Sequence, residues 1–390
     1  MLQAGVMTKV TAEPLAVLRT RTSAKWTVYE PHILPLWVAE MDYPLAPVIA
    51  QGIVERVLAN DTGYASSPLP VGEAFSGFAS RRWGWAVEPT AVRMTTDVSV
   101  AIVETLRVLI APGDAVVITP PVYPPIFDLV PEAGGTVVEV PLAAESGGAH
   151  LDLDGLERAF AAGAKAFLLC NPHNPLGLVH TDDELRAVAD LAEKYGVVVV
   201  SDEIHGPLVH PGVAFTPYLS VSESARDHGV AVTSASKAWN LAGVKCALMV
   251  TAGDRMNRHL ETLPEEVQFR TSILGVHSSA IAFEHGEDWL DGALAAIGES
   301  SALLQSLLAQ HLPLVGYTPP SASYLAWLDF RGADWGDDPS VRALAAGVAL
   351  NPGPSFGVQG TGFARLNLAC GAEVLTEAVE RLARTLPPSN

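Results

Sequence analysis

The sequence predicts an α/β fold: a large domain with a mostly parallel sheet sandwiched by helices, followed by a smaller α+β domain. Three observations predict it. Between about residues 91 and 251, short runs rich in β-branched residues alternate with helix-like segments. Those runs are apolar throughout rather than alternating, which marks strands buried on both faces. Beyond about residue 265 the pattern gives way to a long helical stretch and then a few short strands. The expected division is an N-terminal arm with part of the small domain over 1–45, a large domain over 46–265 and a small domain over 266–390.

Each element has its own signal. Residues 1–45 read as an irregular arm rich in Pro, Trp and charge. Val48, Ile49, Ile53, Val54 and Val57 recur at helical spacing and predict a helix over 47–59. Gly63-Tyr64 opens a loop containing Ser66, Ser67, Pro68 and Pro70. Strands are expected at 115–119, 136–140, 166–170, 197–200, 230–232 and 247–250, and helices near 100–110, 152–162 and 182–195. The last of these begins with Thr181-Asp-Asp-Glu184, a capping-box pattern, and Gly196 is placed to end it. The C-terminal part reads as a helical stretch over 266–310, a strand over 324–329, a helix near 338–347, strands at 348–350 and 364–368, and a closing helix from about 372.

Bulk properties exclude several classes of function. The chain has 390 residues, 49% of them hydrophobic, enough for a large core. A net charge of -19 argues against nucleic acid or an anionic membrane as partner. Cys170, Cys246 and Cys370 are widely spaced, so neither a zinc site nor a disulfide framework is expected, and a reducing, cytoplasmic setting fits. They read as inert buried residues, and Trp83, Trp85, Trp289 and Trp327 read as core. The stretch Met1–Lys9 lacks a signal-peptide core, and no apolar run approaches the ~20 residues of a membrane helix.

Three motifs carry chemistry. Asn171-Pro-His-Asn-Pro-Leu-Gly177, Ser201-Asp-Glu-Ile-His205 and Ser234-Ala-Ser-Lys-Ala-Trp-Asn240 each follow a strand-like run. In an open parallel sheet, ligands bind at the carboxyl ends of the strands. An amide (Asn174), a carboxylate (Asp202) and a lysine (Lys237) converging there suit pyridoxal 5'-phosphate (PLP). A lysine amine forms a Schiff base with the PLP aldehyde and later moves a proton. A carboxylate keeps the pyridine nitrogen protonated, and an amide donates to the phenolic oxygen. Tyr123, after another strand, is placed to stack on the ring. For the phosphate, Thr95-Thr-Asp-Val98-Ser99 opens a helix whose N-terminal amides hold an anion; Ser234 and Ser236 offer hydroxyls and Lys245 a charge. Asp97 is awkward beside a phosphate and is expected to cap the helix or point elsewhere. Of the six lysines, Lys9 and Lys25 lie in the arm, Lys165 at the wrong end of the sheet, Lys194 on a polar helix face, and Lys245 outside the serine-rich turn.

These motifs, with Trp37-Val-Ala-Glu-Met-Asp42, Asp61-Thr-Gly-Tyr64 and Arg365-Leu-Asn-Leu368, resemble the fold-type I PLP enzymes (the aspartate aminotransferase superfamily). More narrowly they resemble the MalY/PatB branch of carbon–sulfur lyases, in the same order from about residue 14 to 385. The resemblance implies a seven-stranded sheet in the large domain and PLP joined to Lys237. Asp202 would face the ring nitrogen, Asn174 the phenolic oxygen, and Tyr123 the ring. Arg365 would bind the substrate α-carboxylate. Tyr64 would reach the neighbouring subunit's phosphate in a homodimer, and His205 would stand where many aminotransferases carry a tyrosine. Three departures stand out: Asp97 replaces a common glycine, Lys245 a common arginine, and Cys370-Gly371-Ala372 a proline-arginine pair. The activity implied is α,β-elimination from a small amino-acid substrate, L-cystathionine or another S-substituted cysteine. The alternatives are an aminotransferase, which uses the same lysine, and a regulator that retains PLP as a structural ligand.

Overall fold

The computed structural model describes residues 9–145 and 148–385; the reading of the first eight residues as lacking a signal core lies outside them. The chain forms two compact units, one of Leu45–Asn174 with Leu178–Glu287, the other comprising the chain up to Pro44, Pro175–Gly177, and everything from Asp288 onward.

The larger unit is built on a seven-stranded sheet: β1 (Val92–Thr95), β2 (Ala115–Ile118), β3 (Thr136–Glu139), β4 (Ala166–Cys170), β5 (Val198–Asp202), β6 (Gly229–Thr233) and β7 (Ala247–Val250). Their order is β1-β7-β6-β5-β4-β2-β3. All run parallel except β7, which is antiparallel to both β6 and β1. Every residue of β4 to β7 is buried, as expected for strands covered on both faces. Strand β1 is short and has Arg93 at its second position, so no apolar run announced it. Its place in the sheet comes from pairing with β7.

Helices make up much of the rest of this unit. They include α1 (Pro47–Leu58), α2 (Leu69–Trp83), α3 (Val98–Leu109), α4 (Leu153–Ala161), α5 (Asp182–Tyr195) and α6 (Ile273–His285). The capping box of α5 forms as expected. Thr181 Oγ1 accepts from the Glu184 amide at 3.2 Å, and the Thr181 amide donates to Glu184 Oε2 at 2.8 Å. Gly196 ends the helix at φ 65°, a left-handed conformation that suits glycine. Helix α2 was not expected, because Pro68 and Pro70 read as loop. The structure uses them at the helix entrance, where proline's missing N–H and fixed φ cost nothing.

The expected domain boundary near 265 differs from the structure, which keeps 266–287 with the larger unit. The reason is aromatic packing. Phe283 of α6 lies 5.2 Å from Phe75 and 5.4 Å from both Phe78 and Trp239, centroid to centroid. Trp239 Nε1 donates to the Gly286 carbonyl at 2.9 Å.

The smaller unit carries helices α7 (Glu287–His311), α8 (Pro339–Ala345) and α9 (Ala372–Ala383). Its four-stranded sheet has the order β8 (Gly316–Tyr317), β9 (Leu325–Asp329), β11 (Phe363–Asn367) and β10 (Asn351–Pro352). Contrary to the reading of the sequence, α7 is long and apolar enough to cross a membrane by length and composition. Its buried face, including Leu290, Ile297 and Leu304, marks it as a core helix. The arm is less irregular than its composition suggests. Leu34–Pro35 pairs in parallel with Val348–Ala349, and Asn367 Nδ2 donates to the Val38 and Glu40 carbonyls at 2.8 and 2.7 Å.

Lys25, read as an arm residue, is fully buried and paired with Asp42 at 2.6 Å; it also donates to the Glu40 carbonyl at 3.0 Å. Removing one partner strands the other charge in the core. Lys25→Met is therefore expected to cost about 3–5 kcal/mol in a urea unfolding experiment, more than any substitution among the exposed ion pairs.

Candidate active site

The predicted site residues of the larger unit stand at the carboxyl ends of neighbouring strands. Asp202 is the last residue of β5, in register with Cys170 of β4 and Val232 of β6. Asn174 follows β4, Tyr123 follows β2, and Lys237 sits in the single helical turn Ala235–Ala238 after β6. Helix α3 follows β1, so its N-terminus opens at the same edge. The sheet thus brings Asp202, Lys237, Asn174, Tyr123, Val98 and Ser99 to one end.

Burial sets the electrostatics. Asp202 is buried, and loss of hydration pushes its carboxyl up to about 6; the Ile204 amide at 3.1 Å and the Lys237 ammonium pull the other way. Lys237, half-buried, is thus near enough to act on Asp202 through its charge. Next to it, Glu203 is pushed up to about 8 by burial, although Ser201 Oγ (3.0 Å) and the Tyr218 amide (2.8 Å) both donate to it. Sequence reasoning gave Glu203 no part. Its neighbour's motif signalled a site, but nothing in the sequence signalled a second buried carboxyl.

At the phosphate end Asp97 behaves as expected, whereas Ser234 is already engaged by the backbone. Asp97 caps α3, its Oδ1 accepting from the Val100 amide at 3.0 Å, while Oδ2 meets Lys245 Nζ at 3.1 Å. Ser234 was expected to offer its hydroxyl to the phosphate. In the structure that O–H donates to the Cys246 carbonyl at 2.6 Å, and the oxygen accepts from the Ser236 amide at 3.0 Å. A hydroxyl has one proton, so Ser234 here shapes the turn that carries Lys237. Val98 is buried; Ser99 and Ser236 are half-buried. His205 is buried at the start of the Gly206–Leu208 turn. Tyr123 is half-buried and packs against the main core. Tyr64 is 86% exposed.

Arg365 belongs to the smaller unit, in the middle of β11, and is only 3% exposed. One Nη donates to the Trp37 carbonyl at 3.2 Å. The cysteines are buried thiols with raised pKa values, Cys246 and Cys370 both at about 12, and so are unsuited to nucleophilic work. Among the expected core tryptophans, Trp85 and Trp289 are buried, whereas Trp83 and Trp327 are half-buried.

This donor set fits PLP: a buried carboxylate for the ring nitrogen, a lysine within its electrostatic reach, and a helix N-terminus for the phosphate. The comparisons agree. The family model "Aminotransferase class I and II" matches residues 48–382. The chain belongs to this family. A Mycobacterium leprae protein described as a candidate cystathionine beta-lyase is 41% identical, over 97% of this chain and 99% of its own. The cystathionine beta-lyase of Corynebacterium glutamicum is 34% identical, over 95% and 99%. A solved structure from Corynebacterium diphtheriae, described as a candidate PLP-dependent beta-cystathionase, superposes with a TM-score of 0.91 at 34% identity, covering 97% of this chain and 99% of that one. The family member described here is a fold-type I, PLP-dependent enzyme of the cystathionine β-lyase and aminotransferase kind.

Both buried carboxyls titrate above their unfolded values, so the folded protein without cofactor binds extra protons between about pH 4 and 8. Its stability should therefore fall as pH rises through that window. Thermal unfolding of the cofactor-free protein at pH 5 and pH 8 measures the fall, which Glu203→Gln should reduce.

Proposed function

We propose that this enzyme is a carbon–sulfur β-lyase, releasing a thiol, pyruvate and ammonia from S-substituted L-cysteines such as L-cystathionine. The observation that carries the reading is Lys237 beside buried Asp202, in a chain 34% identical along nearly its whole length to a cystathionine beta-lyase. When bound, PLP supplies an electron sink for the carbanion at the substrate Cα.

The chain's own residues do the rest. Asp202 keeps a positive ring nitrogen in place, and that charge restores the ionised form its burial disfavours. Lys237 would carry the cofactor, and its Nζ, when free, would take the proton from the substrate Cα. The Cβ–S bond then breaks, the sulfur leaving with the bonding pair and taking up a proton. Water hydrolyses the released aminoacrylate to pyruvate and ammonia. Asn174 orients the phenolic oxygen and Tyr123 covers a ring face. The α3 amides of Val98 and Ser99, with Ser236, hold the phosphate. Arg365 takes the α-carboxylate through the paired N–H groups of its guanidinium. His205 lines the same strand end.

The active unit in this reading is a homodimer in which Tyr64 completes the neighbour's phosphate site. The exposure of Tyr64, together with exposed Val54, Val57 and Leu58 on α1, supports it. Aminotransfer is the second reading, favoured by the family match itself.

Purified enzyme with PLP and cystathionine should yield pyruvate and thiol without an added keto acid. Turnover that requires a keto-acid acceptor would replace lysis with aminotransfer. Lys237→Ala should abolish turnover and the visible cofactor band, and Asp202→Asn should lower kcat at least ~100-fold. Mixing inactive Tyr64→Ala and Lys237→Ala proteins should restore roughly a quarter of the activity by forming one intact site per mixed dimer. No recovery on subunit exchange would rule out the shared site.

A further inference from the structure

Arg365 is held on a face as well as an edge. Its guanidinium carbon stands 5.0 Å from the centre of the Phe356 ring, while one Nη is engaged by the Trp37 carbonyl. Phe356 is wholly buried. Its ring meets Trp327 edge-on, with centroids 5.0 Å apart, and Trp327 is the cross-strand partner of Arg365 on β9. On the other side Arg365 pairs with Asn351 of β10.

The turn that presents Phe356, Gly353–Phe356, is itself fixed. Backbones cross there so closely that a methyl on Gly360 would collide with the Gly353 carbonyl, and one on Gly353 with the carbonyls of Phe363 and Gly360. The Pro- and Gly-rich segment 351–357 therefore places one aromatic ring under one guanidinium.

We propose that Phe356 is a positioning residue for substrate binding. Its ring face fixes the plane of the Arg365 guanidinium, so that a substrate carboxylate meets the in-plane N–H edge. A cation over a desolvated ring is held by the ring's negative face as well as by packing. The inference rests on the reading of Arg365 as the carboxylate binder. It deepens that reading by naming what orients the arginine.

The test separates ring electrostatics from shape. Phe356 is replaced by phenylalanines carrying one, two and three ring fluorines, which drain the ring face of negative charge at nearly constant volume. The expected result is a stepwise rise in KM for a cysteine thioether, reaching about tenfold with three fluorines, at constant kcat and constant Tm. The half-saturation concentration of any α-amino acid that perturbs the cofactor's visible absorption should rise in parallel. Reaction with methoxyamine, which has no carboxylate, should stay unchanged. Phe356→Leu should raise KM at least as much; if it fails to fold, the fluorine series decides alone. A flat KM and a flat half-saturation across the series overturn the proposal and leave Phe356 as core filling. Arg365→Ala separates the two levels. If it leaves amino-acid binding unchanged, the carboxylate reading of Arg365 fails; if it weakens binding while the fluorine series stays flat, only the role of Phe356 fails.

Discussion

A carboxylate buried at the end of a parallel strand is the constraint on which the larger unit turns. Asp202 lies where hydration is lost, and an isolated ionised carboxyl there is costly. A nearby lysine offsets part of that cost, and in the proposed reading a protonated heterocycle would offset more. The sheet makes this possible by being rigid. Strands β4, β5 and β6 are buried along their whole length and locked in register, so the ends of β4 and β5, Cys170 and Asp202, stand opposite one another. The side chains that follow inherit that alignment.

Around this anchor, polar groups serve geometry before ligand binding. Ser234 closes the turn that carries Lys237, and Asp97 caps the helix whose first amides face the same edge. The Asp97–Lys245 pair is partly exposed, with side-chain exposures of 37% and 53%, so it adds little stability. Its consequence is a local charge balance: the position that is commonly glycine in this superfamily brings a negative group, and a lysine neutralises it.

The smaller unit follows the same rule in another form. Arg365 and Asn367, two residues apart on β11 and so on one face of the strand, hold the carbonyls of Trp37, Val38 and Glu40. Lys25 and Asp42 bury an ion pair beneath the same segment. A stretch without regular secondary structure is thereby fixed by side-chain bonds to its carbonyls.

The sequence by itself determined the fold class and the cofactor, and it named the candidate residues for the chemistry. Continuous apolar runs mark buried strands, and Asn174, Asp202 and Lys237 each follow such a run, where a parallel sheet must place its ligand. The capping box at Thr181 and the stop at Gly196 were legible because both signals are local. Only the tertiary structure decided the rest. Strand β1 exists because β7 pairs with it, α2 begins at prolines that resemble a loop, and α6 joins the larger unit through Phe283. The burial of Lys25 and Glu203 and the seat of Arg365 on Phe356 depend on residues far apart in the chain. Short-range pattern records which face a residue presents; it carries no record of what that face will meet.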